Sequence, residues 1–246
     1  MPQATVAMTW RAAPDRLAAY KRVRRFWSEL GYPVLTADSA ASKPFNLSQA
    51  RNRAVDQVKT EFVIIADADT LGNPAVIRKA LLTCGGEMVW PFDDYRSIDL
   101  EWLDSPLDEL WGKPRVGYLQ EDGWPIWGPA GLMVCRVETY WRLGGFDERF
   151  TTWGREDTAF LCAASTLTGA RALPGVAVSF DHARPRDLSR CNNALYDIYK
   201  AADGDPEAME ALVADRARGV DTWRSHWASP SPGVHWVGPP LEALFG

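Results

Sequence analysis

The sequence predicts an α/β domain with a mostly parallel sheet flanked by helices. The first of three supporting observations is the run Phe62-Val63-Ile64-Ile65-Ala66, apolar throughout, as in a parallel strand buried on both faces. Second, segments of helical period alternate with short β-prone segments through the first 185 residues. Third, 246 residues with 46% hydrophobic and 24% charged content suit one sizeable globular domain, or one domain with an appendage.

The elements follow in order. Residues 5–10 read as a first strand. Pro14 and Asp15 open a helix to about Leu30, with Ala19, Val23, Phe26, Trp27 and Leu30 on one face. Arg16, Lys21, Arg22, Arg24 and Arg25 occupy much of its remaining surface, the pattern of a solvated basic face. Gly31 stops that helix, and residues 33–37 form a second strand ending at Asp38. Leu47, Ala50, Ala54, Val55 and Val58 mark a second amphipathic helix. Asp67-Ala68-Asp69 stands directly at the end of the buried strand. Asn73-Pro74 caps another helix, and residues 88–90 form a strand.

Residues 93–128 read as a loop-rich insertion with a short helix near 100–111. Strands are expected at 132–135 and 176–180, and helices at 138–143 and 156–167, the former stopped by Gly144-Gly145. Residues 187–218 resemble two helices broken at Gly204-Asp205-Pro206, and the tail from Asp221 is rich in Trp, Pro, Ser and Gly.

The bulk chemistry excludes several classes. A net charge of −5, from 27 basic and 32 acidic residues, argues against a protein that coats nucleic acid. Cys84, Cys135, Cys162 and Cys191 have no close spacing, so buried free thiols in a reducing compartment are expected. Residues 1–10 lack the pattern of a signal peptide, and no apolar run reaches the ~18 residues of a membrane span. The expected location is cytoplasmic. Twelve tryptophans suit either packing or stacking on sugars and bases.

Ligands of open α/β sheets bind at the carboxyl ends of the strands. Asp38, Asp67, Asp69 and His182 all belong to that edge. Two carboxylates at i and i+2 in a turn can face one cation. Oxygen ligands suit Mg²⁺ or Mn²⁺, and an added imidazole favours Mn²⁺. A second Asp-x-Asp, at Asp203 and Asp205, lies beside Pro206 and reads as a solvated turn. His226 and His235 fall in the Trp-rich tail, which leaves His182 as the candidate histidine ligand.

Longer motifs sharpen this reading. Phe45-Asn46-Leu47-Ser48-Gln49-Ala50-Arg51-Asn52 precedes Asp67-Ala68-Asp69, and Gly131-Leu132-Met133-Val134 leads to Gly144-Gly145-Phe146-Asp147-Glu148. Trp153-Gly154-Arg155-Glu156-Asp157 follows. Over about residues 4–185 the chain resembles GT-A-fold (Rossmann-like) glycosyltransferases of the large family 2 type. Its second half resembles the galactosyltransferase region shared by β-1,4-galactosyltransferases and polypeptide N-acetylgalactosaminyltransferases. The resemblance implies a transferase domain over 1–185, with a nucleotide-sugar half at about 1–92 and an acceptor half at about 125–185. The remainder, 186–246, is then a small helical and Trp/Pro-rich C-terminal extension.

The resemblance also implies roles. Thr9, Arg11, Asp38, Arg51, Asn52, Asp67 and Trp153 would line the donor site. Asp67, Asp69 and His182 would hold Mn²⁺ or Mg²⁺. Asp157 would be the catalytic base, and Glu156 would bind acceptor or sugar hydroxyls. The implied partners are a nucleoside-diphosphate sugar, in particular a UDP-sugar, and an acceptor glycan, protein or other hydroxyl compound. A homo-oligomer through the C-terminal helices is also consistent. The competing readings are a retaining transferase of the same fold, a transferase acting on modified nucleic-acid bases through the Arg16–Arg25 and Arg184–Arg190 basic stretches, and a non-catalytic sugar-binding module.

Overall fold

The structure, a computed structural model, describes residues 2–39, 45–114, 116, 131–151, 154–182 and 190–215. Six strands make the main sheet: β1 (Ala4–Thr9), β2 (Val34–Ala37), β3 (Phe62–Asp67), β5 (Met88–Trp90), β7 (Leu132–Arg136) and β8 (Ala170–Ala172). Their spatial order is β2-β1-β3-β7-β5-β8. A smaller sheet holds β4 (Thr70–Gly72), β6 (Asp94–Ile98) and β9 (Val176–Phe180), in the order β4-β9-β6. The helices are α1 (Leu17–Glu29), α2 (Leu47–Asp56), α3 (Pro74–Thr83), α4 (Leu107–Leu110), α5 (Val137–Arg142), α6 (Glu156–Leu167) and α7 (Arg190–Ala201), with a further helical stretch at 206–215.

β1 pairs parallel with β2 and β3, and β5 pairs parallel with β8. β7 runs antiparallel to both β3 and β5, so the sheet is mixed. This arrangement places the start of β7 at the same edge as the ends of β1, β2 and β3. Asp67 N donates to Gly131 O at 2.8 Å across that edge.

Burial explains why these segments pair as they do. Val6, Met8, Val63 and Ile64 are fully removed from water, each worth about 1.5–3 kcal/mol. α1 closes one face through Val23, Phe26 and Trp27. Asn46 and Asn73 cap α2 and α3, their side chains accepting from Gln49 N and Ala75 N. Tyr196, Tyr199, Ala202 and Met209, from the expected C-terminal extension, belong to the same core as β1 and β3.

The region expected to be loop-rich departs from that reading. Residues 94–98 form β6, which pairs parallel with β9. Its residues are mostly half-buried and carry little apolar signal, so its partner rather than its own sequence makes it a strand. Within 100–111 there is a short 3₁₀ turn and then α4. β4 and β8, three residues each, were also not expected. Cys84, Cys135 and Cys162 are free and buried.

Candidate active site

The carboxyl edge of β1, β2 and β3 gathers most of the expected residues. In register, Thr9 stands beside Ala37 and Asp67. Arg11 Nε donates to both Asp38 oxygens at 2.9 and 3.0 Å, and Arg11 Nη2 donates to Ser39 Oγ at 2.9 Å. The same guanidinium lies 4.9 Å over the Phe45 ring. Beyond Asp38, an open cleft of about 450 Å³ is lined by Thr36, Ala37, Asp38, Arg53, Asp56 and Gln57.

Arg51 is the centre of the site. It projects from α2 and is 1% exposed. Nη2 donates to Asp67 Oδ1 at 3.0 Å, and Nη1 donates to Asp157 Oδ1. Nη1 also lies 3.8 Å from Glu156 Oε1, and the guanidinium sits 4.5 Å over the Phe146 ring. One cation thus joins the first acid of the Asp-x-Asp turn to the acid pair of α6. The sequence reading put Arg51 against the donor, whereas here its donors turn inward to carboxylates. Asp67 likewise faces Arg51.

Burial opposes charge on Arg51, but Asp157, Asp67 and Glu156 outweigh it and hold the guanidinium protonated. Burial pushes the Asp157 carboxyl well above its ordinary range. Arg51 opposes that rise, and Glu156 and Asp67 add to it. Glu156 is raised by its own burial, although Arg51 and nearby backbone amides pull it down. Glu156 Oε2 accepts from Gly154 N at 2.9 Å, while buried Oε1 has no hydrogen-bond partner among the described residues. Both acids lie in the first turn of α6, where the helix dipole favours negative charge.

Asp69 and His182 meet, as the strand-edge argument expected. Phe180 N donates to Asp69 O at 3.0 Å, which fixes the end of β9 against the turn. His182 Nε2 lies 3.1 Å from Asp69 Oδ2. Arg16 Nη2 reaches the same oxygen at 2.5 Å. Burial pushes the Asp69 carboxyl up, but the His182 hydrogen bond and the Arg16 charge outweigh it and hold it below its ordinary range. Among the described residues no three of His, Cys, Asp and Glu gather as one metal-holding group. The expected triad therefore appears as the pair Asp69–His182, with Asp67 committed to Arg51. A carboxylate oxygen and an imidazole nitrogen are donors of the kind a divalent ion takes, while in this structure the 3.1 Å contact is the hydrogen bond between His182 and Asp69, and Arg16 shares the same oxygen. Arg16, whose place in the sequence suggests surface charge, is a further partner of the Asp69 carboxylate. Its signal is position, just after the loop leaving β1.

Asn52 also turns inward. Its amide nitrogen donates to Phe146 O at 2.8 Å and Glu148 Oε1 at 2.9 Å, and its Oδ1 accepts from Tyr140 OH at 2.6 Å and Phe146 N at 2.8 Å. With its polar atoms so occupied and 5% exposure, it pins the 144–148 loop. Gly145, at φ +68°, lies under it, and a Cβ there would stand 2.5 Å from Asn52 Oδ1. Trp153 lies outside the described residues, as do residues 184–189 of the basic cluster, His226 and His235. Asp205 caps the 206–215 stretch by accepting from Ala208 N at 3.1 Å, as a solvated turn would.

Residues 118–166 match a family model described as the N-terminal domain of galactosyltransferase. A comparison with curated proteins finds no match by sequence. Among solved structures, the catalytic domain of Drosophila β1,4-galactosyltransferase 7 in complex with xylobiose is similar. Its TM-score is 0.55 at 13% identity, covering 80% of each chain. Glucosyl-3-phosphoglycerate synthase from Mycobacterium tuberculosis, in complex with Mn²⁺, UDP-glucose and phosphoglyceric acid, gives 0.50 at 14%, covering 82% of this chain and 80% of that one. TarS 1–349 from S. aureus, in complex with UDP-GlcNAc, gives 0.50 at 13%, covering 92% and 73%. At such identities the likeness speaks to the fold. The chain therefore has the GT-A fold of glycosyltransferases and carries a galactosyltransferase-type segment through its acid-pair turn.

Proposed function

We propose that the chain is a metal-dependent glycosyltransferase that moves a sugar from a UDP-sugar to an acceptor hydroxyl with inversion, and that it works in the cytoplasm. The observation that carries this is the convergence on one sheet edge of Asp67, Asp69, His182 and the Glu156-Asp157 pair, with Arg51 spanning Asp67 and Asp157. The complexes of similar fold that contain UDP-sugars support the donor class.

Asp69 and His182 would hold Mn²⁺ or Mg²⁺, a role suited to their oxygen and imidazole donors. The chemistry such an ion supplies when bound is neutralisation of the diphosphate and Lewis-acid stabilisation of the leaving group. Thr9, Arg11 and Asp38 line the approach where base and ribose would lie. An acceptor hydroxyl is a weak nucleophile, so a carboxylate must take its proton as the sugar–phosphate bond breaks. Asp157 is the residue for that task. Its environment raises its proton affinity, which suits a base. The Arg51 charge beside it opposes that rise without cancelling it.

The test is a panel of nucleotide sugars incubated with the protein and Mn²⁺, reading release of nucleoside diphosphate. One UDP-sugar should be turned over, and Asp157→Asn should abolish transfer to an acceptor. Absence of metal-stimulated turnover across the panel would point instead to a sugar-binding module.

A further inference from the structure

The turn that leads into Glu156 and Asp157 packs against α7, a helix beyond residues 118–166, the stretch matched by the family model. The turn before α6 is unusual: Gly154 has φ +108° and Arg155 has φ +75°, the one non-glycine residue at positive φ among the described residues. A non-glycine residue in this region is strained and persists only where its surroundings impose it. Here the surroundings are α7. Asn192, 1% exposed, accepts from Thr151 N at 3.2 Å and donates from Nδ2 to Gly154 O at 2.8 Å. Its neighbour Asn193 accepts from Arg155 Nε at 3.1 Å, and the Arg155 guanidinium lies 5.2 Å over the Tyr196 ring. Further along α7, Tyr199 OH donates to Asp147 Oδ2 at 2.8 Å, and Arg149 pairs with the same carboxylate. Gly154 N in turn donates to Glu156 Oε2 at 2.9 Å.

We propose that Asn192 of α7 is a positioning residue, which bridges Thr151 and Gly154 so that the following turn presents Glu156 and Asp157 to Arg51. Its amide suits the task because it accepts from one peptide and donates to the other, a pairing that neither Ala nor Asp reproduces. The activity arm of the test below rests on the transferase reading; the exchange arm does not.

The experiment compares Asn192→Ala with Asn193→Ala, whose exposed position carries little risk to folding. Amide hydrogen exchange should quicken about 5–10-fold at Thr151 and Gly154 in Asn192→Ala, and about 2-fold in Asn193→Ala, with β3 amides unchanged. Donor turnover in Asn192→Ala should fall about tenfold in kcat with donor KM within about twofold. Unchanged local exchange, acceleration spread into β3, or a loss carried by donor KM with kcat unchanged would overturn the proposal. Should Asn192→Ala fail to fold, Asn192→Asp takes its place, since it keeps the acceptor for Thr151 N and loses the donor to Gly154 O, and unchanged exchange at Gly154 in that variant would overturn the proposal. A wild-type protein with no donor turnover contradicts the transferase reading, and the exchange arm still decides the role of α7.

Discussion

Arg51 separates two explanations for a cluster of acids. A buried arginine facing three carboxylates is costly to assemble and costlier to break, because removing one partner leaves unpaired charge in a dry site. Arg51→Met should lower stability by about 3–5 kcal/mol, measured by denaturant unfolding. A conservative change should also fail functionally. The ammonium of Arg51→Lys cannot reach Asp67 and Asp157 with two separate donors. The pH dependence follows from the same contacts. Asp157 must be ionised to act as base, and its pKa lies above the ordinary carboxylate range. The acid limb of kcat/KM should therefore fall at higher pH than for an unperturbed aspartate, with activity lost as pH drops through it. Weakening the Arg51 charge should move that limb higher still. A limb at the ordinary aspartate position would argue against Asp157 as the base.

The loop 144–148 shows how local sequence and tertiary contact divide the work among elements. Gly144-Gly145 was legible as a helix stop, but its second purpose was not. Gly145 must stay small because Asn52 Oδ1 occupies the space a methyl group would take. Gly145→Ala should cost about 2–4 kcal/mol, from the positive φ and the displaced Asn52 network together, read as a drop in Tm. A change under ~0.5 kcal/mol would show that the loop is not pinned. The same division explains what could be read in advance. β3, β9 and α6 announce themselves by apolar runs or clear termini, and their expected bounds match closely. β4, β6 and β8 are too short or too polar to signal, and exist because distant strands pair with them. In the candidate site, strand-end position in the sequence pointed to Asp67, Asp69 and His182 as neighbours. The contacts of Arg16 and Asn192 stayed hidden, since they depend on which surfaces fold against them.

Across the whole molecule, the topology of the two sheets gathers the candidate site at one edge. The parallel trio β2-β1-β3 sends Asp38, Thr9 and Asp67 to one edge, and the antiparallel pairing of β4 with β9 returns His182 to Asp69. α6 then brings its acid pair to the same edge through Arg51, with α7 behind it. No helix among the described residues is long and apolar enough to cross a membrane. The most direct test of this convergence is calorimetric titration of UDP into the protein with and without Mn²⁺. Binding should require Mn²⁺ and vanish in Asp69→Asn, with His182→Ala weakened at least about tenfold. UDP binding that is indifferent to both the ion and Asp69 would contradict the account.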